Sequence, residues 1–447
     1  MFKKKILWSL AIMSAILLGL CGNSFAADKQ TSTSEVNNIT ANWEYEINAS
    51  NQIEELKCQN PTELVGNIEI PKILDGKTVV GIGDNAFKGA KELTGVVIPN
   101  SIKKIGNGAF RNCVKINNVD LGNVEEIKAS IFKGCTSLKE IKIPKTVKVG
   151  PVLDSCLDNS SITKITLEEG MKIIPDGLCG NTGITEITIP ESVETIGCHA
   201  FMGTELTEVK IPKNVKLIDG QAFFKCTKLK KIDLGNVEEI SFSIVQDCTS
   251  LTEITIPKTL KKGNTADPCL DNPNITKVTL EEGITIVPNA LLANTGITEI
   301  TIPNTVTEIQ TWAFYNCTNL KKITIPDSVV KIAQDGATEE KGENVFENHN
   351  EDLTIYCYEG SAAAEYAKKY NIKYVYITKP IEDNKDKIDQ ENSTTGTKAN
   401  EKMNDLTIAT VGKLPKAGAN TIIVIIILLT IIAGVMLKKY NDYKDIK

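Results

Sequence analysis

The residues of this chain with the clearest capacity for chemistry are its cysteines and histidines. There are twelve cysteines and only two histidines, His199 and His349. Catalytic thiols and zinc sites both combine cysteine with histidine, so two histidines leave few partners for such sites. His199 stands beside Ala200-Phe201, which indicates a side chain in a repeat turn. His349 lies in an irregular acidic insertion, residues 333–351, that is either a solvated loop or a carrier of binding specificity.

Acidic pairs are a second candidate for acid–base chemistry. Glu168-Glu169 and Glu281-Glu282 each follow an apolar segment, and the two pairs are 113 residues apart. Two carboxylates can act as general acid and base, but a pair that recurs at the same place in a repeat is explained by the repeat. We therefore predict no catalytic residue, no metal site and no cofactor, and we expect that the protein is not an enzyme. The formal net charge of −6 also argues against nucleic acid, which binds clustered Lys and Arg.

The elements that would position these residues are short strands. Within residues 65–355 an apolar segment ending in Ile-Pro or a close relative recurs, mostly at steps of 22 to 24 residues. In the segment 184–190 the first, fourth and sixth residues are apolar, and the final alternation is typical of a strand with one buried face. We expect Ile184, Ile187 and Ile189 to face the core.

A column of thiol and amide side chains is predicted inside the turns. Eight residues before each strand end the chain has cysteine or asparagine, except for Thr204, which stands one place closer. Backbone groups are buried there, so an amide can bond them or a small thiol can fill the space. Neighbouring thiols should point in parallel, which favours buried free thiols over disulfides. The predicted column is Cys113, Cys135, Asn159, Asn181, Cys226, Cys248, Asn272, Asn294 and Cys317.

Several repeats also carry Ile-Gly-x-x-Ala-Phe, as in Ile105-Gly106 with Ala109-Phe110. The full pattern, Ile-Pro-x-x-Val-x-x-Ile-Gly-x-x-Ala-Phe-x-x-Cys, resembles the signature of BspA-like leucine-rich repeats and recurs in about a dozen copies. The resemblance implies a repeat solenoid with a parallel β-sheet on one face, short strands or turns on the other, and capped ends. It also implies attachment to host matrix proteins, host cells or other microbes.

The array contains an internal duplication. Residues 98–189 return 113 positions later as residues 211–302. For example, Cys156-Leu-Asp-Asn recurs as Cys269-Leu-Asp-Asn. A solenoid can lengthen in this way because each turn contacts only its neighbours.

One column of outward side chains is the predicted binding face. Stacking places equivalent outward residues on neighbouring strands about 4.8 Å apart. One column alternates in charge, as with Glu253 and Lys277, which favours the register. The adjacent column has no aromatic residue, and it is either a binding surface for protein or glycan or only a solvated sheet face. Its members are Lys210, Asp233, Thr255, Thr279, Thr301 and Thr324.

Caps and a linker are expected around the array, because the ends of a solenoid must be covered. The cap that follows the array should contain a short helix over residues 361–370 and a strand over residues 374–377. The predicted segments are a flexible stretch at 27–41, an N-terminal cap at 42–64, the solenoid at 65–355, a C-terminal cap at 356–378 and a disordered polar stalk at 379–413.

Both chain ends carry targeting signals. Residues 1–26 combine Lys3–Lys5, an apolar run and Ser24-Phe25-Ala26, which predicts a secretory signal peptide cleaved after Ala26. Lipoprotein processing at Cys21 is the alternative. Residues 418–437 are apolar over a length that can span a membrane, and a lysine-rich tail follows.

The C-terminal order of motif, apolar span and basic tail resembles the cell-wall sorting signal of Gram-positive surface proteins, whose pentapeptide is LPXTG. The resemblance implies that a sortase cleaves after Ala417 and joins the chain to peptidoglycan. Ala417 departs from the threonine of that pattern, and a retained membrane anchor is the alternative. In either case the body should face outward at the surface of a Gram-positive-type bacterium. The motif residues are Leu414, Pro415, Lys416, Ala417 and Gly418.

Two functions remain open at the level of sequence. The first is an adhesin-like surface protein that binds an extracellular protein or glycan without catalysis. The second is a structural spacer without a dedicated ligand.

Overall fold

Most turns of the chain contain a short strand in which apolar and polar residues alternate. In Glu253–Ile256 and Lys277–Leu280 the side chains are alternately exposed and buried. A strand with one apolar face must bury that face, and here it does so against the interior of its own turn. The result is a β-solenoid of about 13 turns, which confirms the predicted fold. The computed structural model describes residues 30–36, 39–151, 154–264, 267–333 and 344–378.

The longer strands of successive turns lie next to one another, and we name them the long-strand column. Neighbouring strands pair in parallel, with equivalent residues opposite each other, as for Ile141 and Ile165. The column consists of Gly66–Glu69, Leu93–Val97, Asn118–Asp120, Glu140–Ile143, Lys164–Leu167, Glu208–Lys210, Lys231–Asp233, Glu253–Ile256, Lys277–Leu280, Glu299–Thr301, Lys322–Thr324, Thr354–Cys357 and Lys373–Tyr376.

Two-residue strands form a second stack, which we name the short-strand column. Its pairs are also parallel and in register, as for Ile174, Ile196 and Ile218 in three successive turns. The column consists of Gly81–Ile82, Lys104–Ile105, Glu126–Ile127, Ile173–Ile174, Thr195–Ile196, Leu217–Ile218, Glu239–Ile240, Ile286–Val287, Glu308–Ile309 and Lys331–Ile332.

Aliphatic side chains fill most of the interior between the two columns, and the phenylalanines of the Ala-Phe motifs stack within it. The ring centroids of Phe87 and Phe110 are 5.1 Å apart, and those of Phe110 and Phe132 are 5.6 Å apart. Phe201 and Phe223 form a second stack at 5.2 Å. Parallel offset rings at these distances add to the hydrophobic stabilisation of the core.

The N-terminal cap is an antiparallel sheet of three strands, Gln30–Val36, Ile39–Tyr45 and Lys57–Cys58. A 3-10 turn at Pro61–Glu63 follows, and a small antiparallel hairpin joins Ile73–Leu74 to Lys77–Thr78.

The cap therefore begins earlier than predicted, because Gln30–Val36 falls in the stretch expected to be flexible. Side chains hold this polar strand in place. The Trp43 indole N–H donates to Ser34 at 2.8 Å, and the Ser32 hydroxyl donates to Asp75 at 2.8 Å. The Tyr45 hydroxyl donates to the same carboxylate at 2.6 Å.

The C-terminal cap has the predicted helix and strand. The helix Ala362–Lys369 begins at Ser361, whose hydroxyl accepts the backbone N–H of Ala364 at 3.2 Å. Such a cap bonds one of the amides that the first turn of a helix leaves without a partner. The closing strand, Lys373–Tyr376, pairs in parallel with Thr354–Cys357.

One predicted strand does not form. Residues 184–189 have no strand geometry, and Ile187 is only partly buried, although Ile184 and Ile189 do face the core. The path from the interior residue of this turn, Thr182, to the strand-ending Ile189 is seven residues, one shorter than in most turns. The turns at Thr204 and Thr295 have the same spacing and still form the strands Glu208–Lys210 and Glu299–Thr301, so the shorter path alone does not explain the missing strand.

Candidate binding face

Parallel pairing brings the predicted face residues together on the outer side of the long-strand column. Lys210 lies opposite Asp233, Thr255 opposite Thr279 and Thr301 opposite Thr324. All of these side chains are exposed except that of Thr324, which is half-buried. Their period of two along each strand turns them away from the core, so they form one continuous surface, which we name the threonine column.

The neighbouring column alternates in charge, as the sequence predicts. The Lys277 ammonium is 3.1 Å from the Glu253 carboxylate, and that of Lys322 is 3.8 Å from Glu299. These side chains are half to two-thirds exposed, so solvent and salt screen the pairs, and each contributes at most about 1 kcal/mol. The pairs fix the register more than they stabilise the fold.

A shallow depression of about 620 Å³ opens on this surface. It is lined by polar side chains from three successive turns, among them Asp233, Thr255, Thr279 and Glu281. Its mixed hydroxyl, carboxylate and ammonium groups could donate and accept hydrogen bonds to a polar ligand. Residues of the threonine column therefore line this depression as well as the flatter surface around it.

An aromatic residue extends the threonine column beyond the predicted members. Tyr356 lies opposite Thr324, and Val375 lies opposite Tyr356. The Lys322 ammonium sits 5.4 Å from the centre of the Tyr356 ring. The sequence pattern misplaced this turn by two residues, because it took Ile355 as the strand end where the pairing makes Cys357 the equivalent of Ile325.

The predicted column of thiol and amide side chains inside the turns, which we name the interior column, is present, but two of its positions are occupied by other residues than predicted. The five predicted cysteines, Asn159 and Asn272 are buried, and each thiol donates to a carbonyl of the preceding turn, as Cys226 does to Phe201 at 3.1 Å. Asn272 donates to the Val245 and Cys248 carbonyls at 3.1 and 3.0 Å.

Asn181 and Asn294 lie outside the interior column, contrary to the prediction. Thr182 and Thr295 occupy the interior, and their hydroxyls donate to the Cys179 and Leu292 carbonyls at 2.7 and 2.6 Å. In these turns, as at Thr204, the interior residue stands seven rather than eight positions before the strand end. The two asparagines instead adopt left-handed backbone angles, with φ of 55° and 59°.

The cysteines of the described chain are free thiols, and all except Cys198 are buried. Burial raises the pKa of Cys317 to about 11, because the low-dielectric interior disfavours the thiolate. The thiols of the column are all bonded to carbonyls of the preceding turn, so we interpret the interior column as structural.

A sequence profile described as the BspA type leucine rich repeat region, in six copies, matches residues 57–178, 172–295 and 265–355. The chain belongs to this family. The BspA type array thus covers most of the described solenoid, and the cap strands Gln30–Val36 and Ile39–Tyr45 and the helix Ala362–Lys369 lie outside it. No curated protein matches the BspA type chain.

Solved structures similar to this BspA type protein include three bacterial proteins. A leucine rich cell surface protein from Faecalibacterium prausnitzii shares 24% identity over 76% of this chain and 98% of its own, with a TM-score of 0.36. A leucine-rich repeat protein from Bacteroides ovatus shares 20% identity over 80% of this chain and 100% of its own, with a TM-score of 0.37. The pneumococcal vaccine antigen PcpA shares 16% identity over 78% of this chain and 99% of its own, also with a TM-score of 0.37.

The acidic pairs of the BspA type array tie one turn to the next. Glu168 accepts the backbone N–H of Lys145 at 3.0 Å and contacts the Lys142 ammonium at 3.1 Å. These two contacts, the amide first, hold the pKa of Glu168 below its usual range. Its duplicate, Glu281, accepts the backbone N–H of Lys258 at 3.0 Å.

The remaining predicted sites fall partly outside the described chain. His349 Nδ1 contacts the Asn350 carbonyl at 2.7 Å. Among the described residues, no group of three or more His, Cys, Asp or Glu side chains could hold a metal ion, and no helix is long and apolar enough to cross a membrane. The signal peptide, the stalk, residues 414–418 and the apolar segment 418–437 lie outside the described residues.

The contact between Cys198 and His199 was not predicted from the sequence. His199 is buried, and its Nδ1 atom lies 3.2 Å from the Cys198 thiol. The position of His199 beside Ala200-Phe201 predicts only a side chain in a repeat turn. The signal that could have found it is the adjacency of Cys198 and His199 in the sequence.

Proposed function

We propose that this protein is an adhesin-like, non-catalytic surface protein of a Gram-positive-type bacterium, and that it binds an extracellular protein or glycan through the threonine column. The observation that carries the proposal is a polar depression lined by Asp233, Thr255 and Thr279. The solenoid needs polar residues at these positions but does not need a depression.

The chemistry of the face favours a ligand rich in hydroxyl or amide groups. Threonine hydroxyls both donate and accept hydrogen bonds. Tyr356 adds an aromatic ring at the C-terminal end of the same column, and tyrosine is enriched at binding hot spots. Both features suit a glycan or the polar surface of a matrix protein.

A structural spacer is the second candidate, and the ion pairs favour it. Glu253 with Lys277 and Glu299 with Lys322 neutralise each other within the sheet. A surface whose charges are already matched needs no partner.

Binding measurements separate the two functions. Residues 30–378, with all cap strands, would be tested against immobilised matrix proteins, a glycan array and whole cells. A binding face predicts saturable binding to at least one of these, and its absence across the whole panel would favour the spacer.

A matched pair of variants then tests which surface binds. Thr279→Arg places a bulky cation in the threonine column, and Val330→Arg places the same side chain at a site that is 74% exposed beside the short-strand column. We expect Thr279→Arg to weaken binding at least about tenfold, a loss of about 1.4 kcal/mol. Binding by Val330→Arg should stay within about twofold. Equal losses in both variants would contradict the assignment of the face.

We further propose that the chain is exported through its signal peptide and attached at Leu414–Gly418 by a sortase to peptidoglycan. The proposal rests on the sequence order of motif, apolar span and basic tail. Wall fractionation of cells with and without residues 414–418 tests it. Release by wall hydrolases only when the motif is present supports sorting, and release that is unchanged by its deletion supports a retained membrane anchor.

A further inference from the structure

Cys198, His199 and Gln221 form a chain of polar contacts across two neighbouring turns. The Cys198 thiol lies 3.2 Å from His199 Nδ1, and His199 Nε2 lies 2.8 Å from the side-chain oxygen of Gln221. Cys198 is the partly exposed thiol of the described chain, whereas His199 is 7% exposed. A nucleophile, a base and a group that orients the base are therefore in contact.

The hydrogen-bond network assigns the protonation of His199. The Gln246 amide donates to Asp271 at 2.8 Å, so its oxygen accepts from Gln221 Nε2 at 3.1 Å. The Gln221 oxygen then faces His199 and accepts from Nε2–H. In the neutral ring Nδ1 is consequently an acceptor, and it receives the S–H of Cys198.

The solenoid does not require this arrangement. When the Ala-Phe motifs at residues 200–201 and 313–314 are aligned, Thr311 and Trp312 take the positions of Cys198 and His199. The backbone is nearly the same in both turns, with φ of 55° at His199 and 57° at Trp312. The same turn therefore folds without the thiol and the imidazole.

Two carboxylates define the electrostatics around the thiol. Asp176 accepts the backbone N–H of Cys198 at 2.8 Å, and Asp219 interacts with the thiol through space. Burial, followed by Asp219 and Asp176, raises the pKa of Cys198 to about 11. Little thiolate exists at neutral pH, so a reaction there depends on proton removal by His199.

We propose that Cys198 is a covalent attachment site that forms a mixed disulfide with cationic disulfide-containing ligands, with His199 as general base. His199 Nδ1 takes the S–H proton while the Cys198 sulfur attacks one sulfur of the ligand. The ligand S–S bond breaks, and the leaving thiolate takes the proton from His199. Cys198 is oxidised and the departing sulfur is reduced, so no further oxidant is needed.

The preference for cations follows from Asp176 and Asp219. An ammonium group on the ligand offsets their negative charge at the moment the thiol loses its proton, whereas a carboxylate adds to it. The site is independent of the threonine column, and its test does not depend on the proposed ligand.

The test uses the full chain at pH 7 with two small disulfides, dicationic cystamine and dianionic dithiodiglycolate. Peptide mass spectrometry follows modification of each cysteine over time, with the buried Cys317 as an internal monitor of folding. We expect Cys198 to react at least about tenfold faster than Cys317, and about tenfold faster with cystamine than with the dianion. Reaction of Cys198 at the rate of Cys317 would overturn the proposal.

Variants separate a base-assisted thiol from a merely exposed one. His199→Trp copies Trp312 of the equivalent turn. It should slow the reaction of Cys198 with cystamine about 100-fold, the loss typical of a missing general base. An unchanged rate refutes the role of His199. If Cys317 becomes reactive in this variant, the turn has opened and the variant cannot be used. His199→Gln, which copies Gln221 of the next turn, then serves as the test variant instead. Asp219→Asn should narrow the preference for cystamine, and an unaltered preference contradicts the electrostatic argument.

Discussion

Replacing Asn272 with alanine should destabilise the solenoid far more than replacing Asn294, although the two asparagines look equivalent in the sequence. Asn272 is fully buried, and its amide donates to two carbonyls of the preceding turn. Its oxygen also accepts the backbone N–H and the side-chain amide of Asn274 at 3.0 and 3.1 Å. Asn294 is partly exposed, where water can replace its side-chain hydrogen bonds: it donates to Asp271 at 2.7 Å and accepts from Asn316 at 2.9 Å.

The magnitude follows from the contacts that are lost. The Val245 and Cys248 carbonyls each keep one other donor, the amides of Cys248 and Leu251, so neither is left wholly without a partner. Four hydrogen bonds are lost, but the partly exposed side-chain amide of Asn274 can bond water instead. The other three, each worth about 1 kcal/mol net, give a cost of about 3 kcal/mol for Asn272→Ala.

Asn294→Gly is the matched control, because glycine adopts the φ of 59° there without strain. The control should cost less than about 1 kcal/mol.

Urea unfolding of residues 30–378, followed by circular dichroism, gives the free energies. Hydrogen exchange at the Leu251 amide reports the same change locally, because long repeat arrays do not always unfold in one step. If Asn294→Gly destabilised the chain as much as Asn272→Ala does, the assignment of Thr295 to the interior would be wrong.

Three further predictions concern other parts of the array. Phe110→Ala removes the middle ring of the Phe87, Phe110 and Phe132 stack and should lower the free energy of unfolding by about 3–5 kcal/mol; a loss below about 1 kcal/mol in urea unfolding would contradict the stack. Hydrogen bonds from Lys216 and Lys261 lower the pKa of Glu238 to about 2, so its stabilising contribution is complete above the ordinary glutamate pKa and is lost as the pH falls through about 2. An NMR titration of its carboxyl carbon should show this midpoint, and Lys261→Ala should raise it. Lys277→Glu places like charges opposite each other at Glu253 and should destabilise the chain by up to about 1 kcal/mol at low salt; the effect should fade at 1 M salt, where the Debye length is about 3 Å, and a salt-independent effect would point to packing instead.

Much of the architecture was predictable because the repeat is regular. A strand with alternating polarity every 22 to 24 residues leaves one way to bury its apolar face, so the parallel stack and the alternating charges of Glu253 and Lys277 followed directly. The helix at Ala362–Lys369 was equally plain, because its serine cap and alanine run are local signals.

The misses occurred where spacing alone was ambiguous. Asn181-Thr182 and Asn294-Thr295 each offer two adjacent polar residues for one interior place, and the repeat length does not decide between them, because other turns of the same length bury the residue eight positions before the strand end. The place of Tyr356 in the threonine column was not predicted, because the insertion at residues 333–351 precedes it and the repeat spacing could not give the strand register there. The contact between His199 and Gln221 joins residues 22 positions apart in different turns, and no repeated motif predicts it.

The central claim is that equivalent residues of successive turns stack in register on one outer surface, and distances between spin labels test it directly. Labels on an unnatural amino acid leave the native thiols untouched, and they would be placed at Lys210 with Thr279, Thr301 or Thr324 in turn. Stacked strands predict mean separations of about 14, 19 and 24 Å, rising by about 4.8 Å per turn. Separations that do not increase in that order would contradict the stack and the face it presents.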